Sequence, residues 1–218
     1  MESVYAVVEF FVTGGVFMYP ILLVFAVGAA IAVERWVTLT LMRAKNESMW
    51  RKVLPELMKG DFEKAREMTS KDDSYISQML SMGLARQGAV RRREDIEIAM
   101  EESMMEIIPQ LEKRTPYLGL SANIATLLGL LGTIMGLIQA FTAVANANPA
   151  EKADLLSASI SVAMNTTAFG LLAAIPLLII HTVITAKTGE IVDGLEMASV
   201  KALNVISGKA KRQMDVAA

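Results

Sequence analysis

Residues 117–186, YLGLSANIATLLGLLGTIMGLIQAFTAVANANPA followed by EKADLLSASISVAMNTTAFGLLAAIPLLIIHTVITA, decide the fold. No charged residue stands between Tyr117 and Ala150, and between Leu155 and Ala186 the only ionisable side chain is His181. A helix needs about 20 residues to cross a bilayer core, so each run is long enough to span one. The short polar break between them predicts an antiparallel hairpin. Neither span is purely apolar: the first carries Asn123, Thr126, Thr133 and Thr142, the second Ser157, Ser159, Ser161, Asn165, Thr166 and Thr167. Hydroxyls and amides can solvate an ion, but without a carboxylate or lysine this lining cannot itself shuttle a proton as an acid.

With the loop centred near Ala150, Thr133 lies 17 residues before the centre and Thr167 lies 17 after it. The two hydroxyls are therefore expected at one depth, near mid-bilayer, with Thr126 on the face of Thr133. Each threonine has a structural alternative, since its hydroxyl can bond a carbonyl three or four residues back or join two helices. The cluster Asn165, Thr166 and Thr167 beside Thr133 favours a polar lining. Gly129, Gly132 and Gly136 on the first span, and Ala163, Gly170 and Ala174 on the second, are read as close-packing positions. Pro176 is read as a bend or hinge, and His181 as an interfacial anchor or packed neutral histidine.

Upstream, Val16–Val33 is a further uncharged run ending at Glu34-Arg35. Positive charge follows this run rather than preceding it, which predicts a retained first transmembrane helix and not a cleaved signal. Pro20 suits its first turn, and Glu34 with Arg35 reads as a membrane-boundary ion pair. From Arg43 to Thr115 the texture is that of soluble helices. Gly60-Asp61 is a stop and an N-cap, splitting Met49–Lys59 from Phe62–Thr69; Lys71–Ser74 is a turn; Gly88 ends a helix begun near Ser74. Ile96, Met100, Met104, Ile107 and Leu111 form the stripe of an amphipathic helix that Pro109 and Pro116 are expected to bend where it enters the membrane. The run Arg91-Arg92-Arg93 reads as a solvated basic patch. In the tail, Ile191, Leu195, Ala198, Ala202 and Val205 continue a helical stripe. A helix from about Asp154 to Ser207 would be roughly 80 Å long, and a projecting stripe of this kind is expected to need neighbours, which favours an oligomer.

Lys and Arg number 14 between Arg43 and Thr115 and five after Ala186, against one in the Asn146–Asp154 loop. By the positive-inside rule the N-terminus and that loop face outward, while the insertion and tail are cytoplasmic. The expectation is an all-α integral membrane protein with three transmembrane helices. The last two are long and extend into the cytoplasm, and a helical cytoplasmic insertion separates them from the first. Four parts follow: residues 1–42 (outward N-terminus and first transmembrane helix), 43–115 (cytoplasmic helices), 116–186 (the hairpin lining the ion path) and 187–218 (cytoplasmic tail). The 53% hydrophobic content and net charge of −2 agree with a membrane chain and give no basic nucleic-acid surface. With no cysteine and one histidine, neither a thiolate nucleophile nor a histidine-rich metal site can be built, and no enzyme is expected.

The stretches 123–141, NIATLLGLLGTIMGLIQAF, and 160–176, ISVAMNTTAFGLLAAIP, resemble the two signature spans of the MotA/TolQ/ExbB proton-channel family. The ERW at 34–36 and GDFEKA at 60–65 add weaker support. Three spans with the N-terminus outside look like the ExbB/TolQ branch. The resemblance implies a homopentamer in the bacterial inner membrane around two copies of a single-span ExbD/TolR-like partner, whose membrane aspartate carries the proton that these spans cannot. It further implies that work passes to a TonB-like or TolA-like protein. It matches Thr133 and Thr167 to pore-facing threonines, with Thr166, Asn165 and Thr126 beside them on the ion path. No cofactor is implied beyond the transported proton or sodium. Val162 departs from the family's usual Glu and leaves the ion open, and His181 replaces an aromatic position. Two alternatives remain: a stator-like or gliding-type motor subunit, and a membrane scaffold that conducts nothing.

Overall fold

The computed structural model describes residues 10–11, 13–86 and 93–217, and among them the chain forms six helices and no strand. They are α1 (Met18–Lys59), α2 (Phe62–Ser70), α3 (Tyr75–Arg86), α4 (Arg93–Glu112), α5 (Thr115–Asn146) and α6 (Lys152–Ala217). Stretches within Met18–Lys59, Arg93–Ala145 and Lys152–Gly208 are long and apolar enough to cross a membrane. The chain is therefore an all-helical, three-span protein. The helix stop at Gly88, the basic residues Arg91 and Arg92 and the first nine residues lie outside the described residues.

Local chemistry explains most of the boundaries. Gly60, at φ +87°, closes α1 because a left-handed residue there lets the Gly60 and Asp61 amides reach the Glu56 carbonyl at 3.0 and 3.1 Å. Asp61 then caps α2, accepting from the Lys64 amide at 3.1 Å. Two expectations are corrected. Met49–Lys59 is not a helix of its own: α1 runs unbroken for 42 residues from the first span through that segment, past Pro55. Charged residues end a membrane segment without ending a helix. Nor does one bent helix enter the hairpin. The chain breaks at Lys113-Arg114, where Arg114 takes φ +68°, and Pro116 sits in the first turn of α5, where its missing N–H costs nothing.

Two compact units divide the chain: Met1–Arg35 with Arg114–Ile184, and Trp36–Lys113 with Thr185–Ala218. In the second, α2 packs on α3 and α3 on α4. The stripe Ile96, Met100, Ile107 and Leu111 is buried, as are Ile191, Leu195, Ala198 and Ala202 on α6, whose Ser199 contacts the Met100 sulfur. Val205 is only half-buried, and Ile206 beside it takes the core position. The tail stripe is thus covered by its own chain, and its existence is no argument for an oligomer. Arg43 pairs with Glu190, and Lys187 lies 4.2 Å over the Trp36 ring.

The loop before α3 is tied by Asp72, whose carboxylate accepts from the Ser74 amide and the Ser77 hydroxyl, each at 2.9 Å. Burial pushes the Asp72 carboxyl up, but hydrogen bonds from Ser74 and Ser77 and the charge of Lys45 outweigh it and hold the carboxyl below its ordinary range. A depressed folded value means stability that is fully present above the unfolded value of about 4 and is lost as pH falls through the lower folded one. Asp72→Asn is therefore expected to lower thermal stability at neutral pH. The gap from the wild type should close as acid titrates Asp72, measured by melting the detergent-solubilised protein across pH.

Candidate functional site

The site lies in the first unit, on the seam between α5 and α6. Small residues let the two backbones meet. A Cβ on Gly129 would stand 3.2 Å from the Gly170 Cα, and one on Gly136 would stand 2.7 Å from the Ala163 Cβ. One on Gly132 would stand 2.3 Å from the Thr166 Cγ2. These pairs run antiparallel, so the hairpin register expected from the loop position holds. Gly28 of α1 approaches the same seam, where a Cβ would be 2.9 Å from Leu177 and 3.3 Å from Ser121.

Closeness of this kind brings the hydroxyls onto backbone carbonyls. Thr167, on α6, donates to the Gly129 carbonyl of α5 at 2.8 Å. In an α-helix that carbonyl also accepts the amide four residues on, which is that of Thr133. A single peptide oxygen therefore links the two threonines. Thr133 turns its own hydroxyl back to the Leu130 carbonyl at 2.6 Å, Thr126 donates to Ala122 at 3.1 Å, and Thr142 donates to Ile138 at 2.8 Å. The back-bonding alternative is thus real for these three. A threonine that gives its one proton backward still presents oxygen lone pairs outward, and those are the groups that coordinate a cation or accept from water. Thr126 is exposed, and Thr133, Asn165 and Thr167 are half-buried.

Thr166 differs. It is 2% exposed, and its hydroxyl lies 2.6 Å from the Gly14 carbonyl and 2.9 Å from that of Val162. Asn165 donates to the Thr13 hydroxyl at 3.5 Å. Those contacts to Thr13 and Gly14 went unread in the sequence, where only the paired glycines Gly14-Gly15 hint that the chain turns back before α1. Pro176 is exposed inside α6, which continues through it. His181 faces Gly119, its ring atoms 3.5 Å from where a Cβ would stand. Glu34 and Arg35 pair at 3.3 Å as expected, and Arg114, which the sequence did not single out, joins them at 3.6 Å from Glu34. Among the described residues no three His, Asp or Glu side chains converge as they would on a metal.

Residues 71–197 match the MotA/TolQ/ExbB proton channel family. A putative biopolymer transport protein, ExbB homolog, from Methanothermobacter thermautotrophicus is 30% identical over 204 residues, 88% of this chain and 67% of that protein. A Tol-Pal system protein TolQ from Haemophilus influenzae is 33% identical over 93 residues, 43% of this chain and 40% of that one. A putative biopolymer transport protein, ExbB-like, from Synechocystis is 27% identical over 189 residues, 84% of this chain and 72% of its own length.

Proposed function

Because the chain belongs to the MotA/TolQ/ExbB proton channel family, on its ExbB/TolQ side, we propose that it is the ring subunit of an ion-driven motor in the bacterial inner membrane. Five copies surround a single-span ExbD/TolR-like partner, with the N-terminus periplasmic and the tail cytoplasmic. The partner's aspartate carries the proton, and Thr133 and Thr167, with Thr126, Asn165 and Thr166 nearby, line the path on this side. The motion produced drives a TonB- or TolA-like protein and so energises transport or envelope work at the outer membrane.

The observation that carries this reading is the Thr167–Gly129 contact between two apolar spans, 117–150 and 155–186, that carry no carboxylate. It concentrates hydroxyl and carbonyl oxygens at one level of two spans that carry no acid, which supports a titrating group supplied by another chain. Only 22–28% of the most apolar windows of the three spans is buried within the chain, which leaves wide faces for lipid, further copies and the partner. Exposed Leu127, Leu130, Ile134 and Ile138 on α5 lie on such a face.

The scaffold reading draws on the back-bonded hydroxyls of Thr126 and Thr133. Proton uptake by liposomes holding this chain, its partner, or both separates the two. The motor reading expects uptake only with both present, and none when the partner's aspartate is replaced by asparagine. An intact complex without uptake would leave the scaffold.

A further inference from the structure

We propose that the stretch carrying Phe10, Phe11, Thr13 and Gly14 is a latch that shuts the polar face of α6, and that conduction requires its release. The inference rests on the conducting role argued above and adds a gate to it.

Two of the five polar groups proposed for the ion path are occupied by this stretch. The Thr166 hydroxyl is 2.6 Å from the Gly14 carbonyl, and the Asn165 amide reaches the Thr13 hydroxyl at 3.5 Å. That hydroxyl in turn donates to the Phe10 carbonyl at 3.2 Å. While these contacts last, protons of the Asn165 amide and the Thr166 hydroxyl are spent inside the chain, and Thr166, 2% exposed, is covered from an ion. Aromatic edges hold the cover down one helical turn away. Phe10 and Phe11 both meet Phe169 edge-on, with centroids 6.4 and 5.7 Å apart, and Phe11 meets Tyr19 at 5.3 Å.

The stretch joins α1 through a turn of two glycines. Gly15 takes φ +77°, a conformation that favours glycine, and a Cβ on it would stand 3.2 Å from Val162. At Gly14 a Cβ would fall 2.4 Å from the Met18 side chain, so the turn is tight on both sides. Among the described residues the holding contacts include one short hydrogen bond, one long one and edge-on rings, each individually weak. Release exposes the Asn165 amide and the Thr166 hydroxyl beside Thr167, which completes the polar face.

The chain has no cysteine, so introduced thiols are the only ones present. The test uses the full chain with its partner in liposomes under a proton gradient, as wild type, Phe11→Ala, and the pair Phe11→Cys with Phe169→Cys, at rings that meet 5.7 Å apart and outside the ion path, joined on oxidation directly or through a short dithiol. Loss of the Phe11 ring contacts should raise uptake about two- to tenfold. Oxidation of the cysteine pair should form the bond and stop uptake, and reductant should restore it. A silent wild type beside a conducting Phe11→Ala variant would also support the latch. Failure of the cysteine pair to cross-link would overturn it. So would equal uptake in the oxidised and reduced forms, or a Phe11→Ala rate at or below the wild type's, because the stretch would then be a permanent clamp. Silence of the wild type, Phe11→Ala and the reduced pair alike, with intact complexes, would overturn the conducting role itself and the gate with it.

Discussion

Gly170→Val is expected to part α5 from α6. A Cβ at Gly170 would stand 2.8 Å from the Ala125 carbonyl oxygen and 2.9 Å from the Gly129 Cα. Both are backbone atoms, which cannot rotate aside as a side-chain end can, so the helices themselves must separate. Overfilling a packed contact typically costs about 1–3 kcal/mol, and valine adds three carbons where even one has no room. The Thr167–Gly129 bond depends on this approach and should go with it. The expected result is a lower melting temperature and loss of ion uptake together, read by thermal unfolding in detergent and by uptake into liposomes. Gly189→Val on the same helix is the control. No atom lies within 4 Å of a Cβ there, so the change should leave stability within roughly half a kcal/mol, with valine the slightly better helix former.

Thr167→Val is expected to separate the two readouts that Gly170→Val joins. Valine has nearly the shape of threonine, and the hydrogen bond to Gly129 at 2.8 Å is the contact it removes. Interhelical hydrogen bonds in membranes average about 0.6 kcal/mol and reach about 1.7, so the complex should stay assembled with a small loss of stability. An ion passing the site loses more. A hydrogen-bonding group facing a charge contributes about 1.5–3 kcal/mol, which makes uptake roughly ten- to a hundredfold slower. A scaffold expects the opposite ranking, with the modest assembly defect as the whole effect.

Several features were legible in the sequence because they are local or periodic. The hairpin followed from charge-free length, the α4 stripe from its spacing, and the Gly60-Asp61 boundary from its cap chemistry. The depth match of Thr133 and Thr167 followed from counting outward from the loop. The features that escaped depend on contacts far along the chain or on backbone choices without a signature. Arg114 in the left-handed region carries no sequence mark, so the prolines predict a bend where the chain in fact breaks. The periodicity of Ile191, Leu195 and Ala198 says that a face is covered, not which chain covers it, and here the face is buried within this chain, with neighbouring Ser199 against Met100 of α4. Thr166 meets Gly14 across 152 residues. No spacing rule reaches that far, and a residue read as open lining turned out to be covered.

The central claim is that this hairpin conducts an ion past Thr167 with an acid supplied by a partner. The most direct measurement is uptake into liposomes holding the intact complex, driven in turn by a proton gradient and by a sodium gradient, with wild type and Thr167→Val side by side. Partner-dependent uptake of one ion by the wild type, reduced at least tenfold in an equally well assembled Thr167→Val complex, is the expected result. Equal uptake by the two proteins, or none from either after the N-terminal latch has been loosened by Phe11→Ala, would contradict the account.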